Sequence, residues 1–232
     1  MKEAEILSRI YPSVVTWSAD WQKMVAAVRR FRLTEISLFL TGADIQERKK
    51  IYQALEKTSV RFIPHVHARH DMLKEHEFDY LIKRFGTKAF TMHFQYLKHF
   101  NNFKNRKKIF VENNGYQSKI RDLDVIKKFG GLAIDLSHLE INRRQVNDNF
   151  FIAQEGVEDY HYKIGCNHLS AVKASGRHWH GVENFSELEY VTNIPQKYFS
   201  PYICLELINP IRQQLVFRRQ LARLLSKQWN QK

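Results

Sequence analysis

Cysteine is scarce in this chain: Cys166 and Cys204 are the only two in 232 residues, which excludes a disulfide-stapled framework. Both sit in short apolar runs and read as reduced core thiols. Glycine (nine) and proline (five) are also few, and no Pro/Gly/Ser-rich linker, low-complexity tract or internal repeat divides the sequence. One domain over 1–232 is therefore expected. Nothing resembles GxGxxG or a Walker loop, which argues against an open nucleotide-binding sheet. A Gly-Ser-type nucleophile elbow, HExxH and a Ser/His/Asp order are absent too, removing the common hydrolase designs. No apolar run reaches the ~18 residues that a membrane span needs. The start, MKEAEILSRIYPS, lacks the basic-then-apolar layout of a secretion signal, so a cytoplasmic protein without membrane contact is expected.

What is present is a chain with 44% hydrophobic and 26% charged residues, enough apolar material for a sizeable core. The formal net charge of +13 favours anionic partners, either phosphorylated small molecules or nucleic acid. Many of the cations fall in helical stretches such as QERKK (46–50) and FRRQLARLLSKQ (217–228), where a solvated helix face accounts for them. Helix 211–231 pairs apolar Leu215, Leu221, Leu224 and Leu225 with Arg212, Arg218, Arg219 and Arg223, a pattern suited to sealing a domain without invoking dimerisation.

Short apolar runs alternate with amphipathic ones. Strands are expected at 13–16, 35–40, 61–66, 89–92, 109–111, 131–134, 166–169 and 202–205, and helices at 21–31, 43–55, 78–85, 120–129, 185–191 and 215–229. Such alternation implies right-handed βαβ units, and eight strands close an α/β (β/α)8 TIM barrel with outer helices. A barrel usually takes ~250 residues, close to this length. The Asn- and Asp-rich stretch 139–165 exceeds an ordinary crossover and is expected to form a lid over the mouth.

In such barrels chemistry sits at the strand C-termini, because the loops there converge on one mouth. The expected third strand ends in HVHARH (His65, His67), the fourth in TMHF (His93) and the fifth in FVENN (Glu112). The sixth ends in IDLSH (Asp135, His138), the seventh in CNHLS (His168) and the eighth in CLELIN (Glu206). Carboxylates and imidazoles delivered to one mouth repel or are desolvated without a cation between them. An oxygen-rich set with neutral imidazole suits Mn, Mg, Co or Zn. His65 and His67 share a face, which is either the barrel interior or the helix layer, and His67 is assigned the inward role. Trp17 and Trp21 read as core or rim, Trp179 as a mouth residue between His178 and His180, and His70, His76, His99 and His161 as surface.

The ordered motifs HVH, TMHF, VEN, DLSH, HLS and LEL, spanning roughly 60–210, resemble the xylose-isomerase-like barrel superfamily, which includes sugar and sugar-phosphate isomerases and epimerases and the apurinic endonucleases with three zinc ions. The isomerase branch implies one divalent ion on Glu112, Asp135, His168 and Glu206, with Glu112 and Glu206 moving a carbon-bound proton through an enediolate. The endonuclease branch implies a larger set, matched by His67, His93, Glu112, Asp135, His138, His168, His180 and Glu206. In HLSAVKASGRHWH (168–180), Lys173 is in register with that family, but His178 stands where it has Asp, and Ala171 replaces another Asp. Fewer carboxylates favour one or two metals over three. Lys173, Arg177 and the basic segment NNFKNRKK (101–108) are candidate phosphate contacts.

The first expectation is a divalent-metal-dependent isomerase or epimerase of a small sugar or sugar phosphate. The alternative is a metal-dependent phosphodiesterase acting at abasic DNA, and the second alternative is a non-catalytic barrel that binds a ligand at its mouth.

Overall fold

The helices begin where the sequence supplies caps. Asp20 accepts from the Lys23 amide at the start of α2 (Trp21–Arg30), and Asp44 accepts from the Gln46 and Glu47 amides at the start of α3 (Ile45–Glu56). Gly86, in the left-handed region, ends α4 (Glu75–Phe85). The apolar stripe of each faces a parallel sheet; α2, for example, buries Trp21, Met24, Val25 and Val28. This computed structural model describes residues 1–17, 20–72, 74–113, 123–146 and 148–231, the last starting with backbone only for 148–152.

The strands are β1 (Ile10–Tyr11 and Ser13–Val15), β2 (Ser37–Phe39), β3 (His65–His67), β4 (Ala89–Met92), β5 (Ile109–Glu112), β6 (Gly131–Asp135), β7 (Ile164–Leu169) and β8 (Ile203–Leu205). Pro12, which has no N–H to donate, splits β1 into two segments. The first segment pairs with β8 and the second with β2, both parallel, and the remaining neighbours follow in chain order. One interrupted strand thus closes the ring, and the fold is a (β/α)8 barrel. All eight expected strands are present, with edges displaced by up to four residues.

The outer layer departs more. The expected helix 185–191 is a 3-10 helix, Phe185–Asn193. Of the expected helix 120–129, residues 120–122 lie outside the described residues and Leu123–Lys128 is again 3-10. Phe94–Phe100, after β4, is a third such turn. A 3-10 helix rises ~2.0 Å per residue against 1.5 Å for an α-helix, so fewer residues return the chain to the bottom of the barrel. The stretch 139–165 holds the rest of α5 (Leu136–Gln145) and α6 (Asp148–Glu158), with residue 147 outside the described residues. A Cβ on Gly156 of α6 would meet Leu132 on the outer side of β6, so this end of the segment packs in the outer layer. The C-terminal α7 (Ile211–Asn230) packs on α1 (Glu3–Leu7) and α2, burying Leu221 and Leu225 of the expected stripe together with Phe217, while Leu215 and Leu224 are half-buried.

Period-two alternation divides the strands' side chains. Val66, Phe90, Val111, Leu132 and Ile134 join the large core between sheet and helices, whereas Ala89, Phe110, Ala133 and Cys166 form a separate cluster inside the ring. Gly131 sits where β6 enters the barrel, at φ +129, and a Cβ there would overlap the Lys163 carbonyl that accepts from the Leu132 amide. Gly131→Ala should therefore lower unfolding free energy by about 3 kcal/mol or more, read from urea midpoints. An unchanged midpoint would show that β6 and β7 separate at no cost.

Candidate metal centre

From β3 to β8 the inward-facing residue at or just past each strand's upper end is His, Asp or Glu, whereas β2 ends inward in Phe39. β6 places Asp135 directly beside His168 in parallel register, and β8 places Cys204 beside His168 so that Glu206 follows just above. Glu112, Asp135, His168 and Glu206 are all buried, and one ligand atom from each lies within 4.8 Å of the others. Four such groups from four strands form a set that a single cation can bridge.

Asp135 shows how local structure frees a ligand atom. It is the N-cap of α5, its Oδ1 accepting from the His138 amide at 2.9 Å and from Ser137 Oγ at 2.6 Å. Its Oδ2 is buried without a hydrogen-bond partner. A buried carboxylate oxygen left bare is costly, and a cation among these donors resolves it. The donor chemistry therefore fits a hard or borderline divalent ion. Asn113 fixes the strand end, accepting from the Asp135 amide at 2.6 Å and donating to its carbonyl at 3.1 Å.

Glu112 is shared. Its Oε1 lies 2.9 Å from His168 Nδ1, while its Oε2 lies 3.2 Å from His67 Nε2 and 2.9 Å from His93 Nε2. Three expected residues on the other flank also come together: the His138 and His178 rings are 4.6 Å apart, His178 and His180 5.1 Å apart, and His138 Nε2 is 3.7 Å from Asp135 Oδ2. His180 Nδ1 hydrogen-bonds the Glu206 carbonyl at 3.2 Å, and Trp17 packs on its ring at 5.0 Å.

Protons distribute unevenly over the metal-free cluster. Burial pushes Glu206 up, and the charges of Asp135 and Glu112 push it further, well above the usual carboxylate range. Burial also opposes ionisation of Glu112, but His67 and His168 outweigh it and hold that carboxyl well down. His168 is disfavoured as a cation by burial, yet Glu112 and Glu206 raise it well above its ordinary value. Asp135 ends below its ordinary value because His138 and His168 outweigh burial. With no metal bound, these shifts favour the charged form of His168 and the protonated form of Glu206.

The other expected contacts sit as follows. Lys173 is held by Glu187 at 2.8 Å and Glu183 at 3.1 Å, so its charge is matched inside the chain. Arg177 is exposed in the turn of a small ribbon, Ala171–Val172 with His178–Trp179, and Trp179 is 54% exposed beside the histidines. Segment 101–108 lies at the opposite end of the barrel, leading into the first residue of β5; Lys104 pairs with Asp79, and Lys107 donates to the Lys127 carbonyl. His70, His76, His99 and His161 are exposed, as expected. His65, set aside in favour of His67, also faces inward: its Nε2 is 3.1 Å from His168 Nε2. Cys166 is not an isolated core thiol, since its Sγ lies 3.2 Å from Thr91 Oγ1 beneath His168. The signal for both was the two-residue period counted back from each strand-end ligand.

No protein-family model matches the chain, and no characterised protein matches it in sequence. Its structure is similar to that of a xylose isomerase domain protein from Alicyclobacillus acidocaldarius, with TM-score 0.54 and 9% identity over 94% of this chain and 99% of that one. The shared feature is the fold, a (β/α)8 barrel. No helix among the described residues is long and apolar enough to cross a membrane.

Proposed function

We propose that the protein is a divalent-metal-dependent isomerase or epimerase of a small sugar or sugar phosphate. The observation that carries this reading is the buried set Glu112, Asp135, His168 and Glu206, with ligand atoms within 4.8 Å and one Asp135 oxygen left bare. The likeness in fold to a xylose isomerase domain protein supports it. These four residues would hold the ion, Mn, Mg, Co or Zn, whose charge stabilises oxyanion character developing on a substrate carbonyl and its neighbouring hydroxyl. Glu112 and Glu206, at 2.9 and 3.6 Å from His168 Nδ1, are the bases. Glu206, ionised once a cation is held beside it, would take the proton from the carbon next to the carbonyl, and the resulting enediolate would recover that proton at the other carbon or face. His67 and His93 hold Glu112 Oε2 and fix that carboxylate's orientation. His93 is the more exposed of the two, and although burial disfavours its charge, its contact with Glu112 favours it.

The test is solvent exchange. Incubated in D2O with Mn2+ and a panel of aldoses, ketoses and their phosphates, the protein should wash deuterium into the carbon beside the carbonyl of one class, detected by NMR. No exchange with any member, from protein shown to hold the metal, would end the reading.

A second reading, a phosphodiesterase acting at abasic DNA, is favoured by the division of Glu112 between His168 and the His67–His93 pair, which offers a position for a second ion. Against it, the third flank is wholly imidazole, Lys173 is neutralised, and segment 101–108 is remote from the mouth. Cleavage of an abasic oligonucleotide with two or more ions per chain would replace the first reading.

Metal uptake should be acid-sensitive. The metal-free site favours a proton on Glu206 and an extra one on His168, and ligation needs both removed. Affinity should rise with pH until both protons are lost and fall on acidification. Calorimetric titration in buffers of different ionisation enthalpy should show proton release near neutral pH. Zero release would contradict the protonation pattern.

A further inference from the structure

One pleat below the metal-ligand layer lies a second inward-facing layer. His65, Thr91, Phe110, Ala133, Cys166 and Cys204 stand two residues before His67, His93, Glu112, Asp135, His168 and Glu206. Barrel interiors at this depth are ordinarily filled by apolar side chains. Here three polar or sulfur-bearing groups converge beneath one ligand. Thr91 Oγ1 is 2.9 Å from His65 Nε2, 3.2 Å from His168 Nε2 and 3.2 Å from Cys166 Sγ, and the two imidazole nitrogens are 3.1 Å apart. Phe39 packs edge-on against both rings, at 5.2 and 5.1 Å between centroids. His65 is fully buried, and its Nδ1 has no hydrogen-bond partner.

A neutral imidazole has one N–H. His168 Nδ1 faces Glu112 and Glu206, so ligation there requires a bare Nδ1 and a hydrogen on Nε2. That hydrogen has two acceptors within reach, His65 Nε2 and Thr91 Oγ1. Two N–H groups cannot face each other across 3.1 Å, so a hydrogen on His168 Nε2 leaves His65 Nε2 bare, whether His168 donates to it directly or to Thr91. His65 must then carry its own hydrogen on Nδ1, where nothing receives it. For stability alone, an apolar side chain of similar volume fills this pocket without stranding a polar atom.

We propose that His65, acting with Thr91, is a positioning residue for His168: it takes up the hydrogen on Nε2 and so presents Nδ1 bare toward the carboxylates. This rests on the metal-dependent reading given above. The same atoms do not suit a separate soft-metal site. His65, Cys166 and His168 do converge, but Thr91 Oγ1 occupies the space among them at hydrogen-bond distances.

The experiment compares wild type, His65→Leu, His65→Gln and Thr91→Val by Zn2+ competition titration, thermal unfolding of the metal-free proteins, and 15N NMR of histidine in the Zn2+-loaded state. The Leu and Val variants should lose Zn2+ affinity by roughly 10–100-fold. Their metal-free melting temperatures should be unchanged or higher. Gln, which returns an acceptor near the former Nε2, should restore most of the affinity, and loaded wild type should show His168 with its hydrogen on Nε2. Wild-type affinity in His65→Leu would overturn the proposal while leaving the metal reading intact. So would an affinity loss that tracks a loss of metal-free stability without rescue by Gln. With Co2+, a thiolate charge-transfer band removed by Cys166→Ser would overturn it in favour of an ion in the lower layer. If wild type takes up no Zn2+, the metal-dependent reading itself fails.

Discussion

Glu206→Gln should lower the rate of carbon-bound proton exchange by roughly 100- to 10,000-fold, the range for loss of a positioned general base. The amide keeps the shape of the carboxylate but can neither take a proton nor lend charge to a cation. Glu206 is the sharper choice over Asp135, because Asp135 also caps α5 and its replacement would disturb the fold as well as the site. In metal-free wild type Glu206 is buried beside two carboxylates that raise its proton affinity, so Gln should leave the metal-free melting temperature unchanged or raise it. The divalent-ion response should change in the opposite sense. At a hundredfold excess over Kd, bound metal stabilises by about 2.7 kcal/mol. For a chain of this size that is a rise of roughly 5–11 °C. The rise should be abolished by chelation and largely absent in Glu206→Gln. A variant that keeps both the exchange rate and the metal-induced shift would remove Glu206 from the site.

The second large effect lies outside the site, between α3 and α4. Arg48 is fully buried: Nε and Nη2 grip Glu77 at 2.7 and 3.1 Å, while Nη1 reaches Asp71 at 2.8 Å and the Ala43 carbonyl at 3.0 Å. Tyr52 adds a hydrogen bond to Glu77 at 2.7 Å. Arg48→Met should cost about 3–5 kcal/mol, because it leaves the Glu77 carboxylate largely buried with Tyr52 as its remaining partner. That corresponds to a fall in melting temperature of roughly 6–20 °C. Adding Glu77→Gln should recover much of the loss, since no uncompensated charge is then buried. Two single variants whose effects simply add would show that the pair is uncoupled, contrary to its geometry.

The barrel was legible because its cues are local. Apolar runs such as 131–134 and the helical spacing of 45–56 report period and length without knowledge of partners, and the ligand set was readable because strand ends in this architecture meet at one mouth. Where the sequence-based reading stopped short, the deciding contact came from elsewhere in the chain. The 3-10 turn at 185–193 has apolar spacing that a short α-helix shares, and the difference lies in how far the chain must travel before β8. Lys173 looked free until the fold brought Glu183 and Glu187 to it, and segment 101–108 looked available until it was placed below the barrel.

By itself, then, the order of residues determined an alternating βα chain and the strands that end in His, Asp or Glu, whose Glu112, Asp135, His168 and Glu206 meet at one mouth. Tertiary structure alone decided that a strand broken at Pro12 closes the ring, that Glu112 is divided between His168 and the His67–His93 pair, and that His65 and Thr91 lie under His168. The physical reason is range. Periodicity and capping act over a few neighbouring residues, whereas register and side-chain proximity join atoms a hundred or more positions apart, as His65 and His168 are.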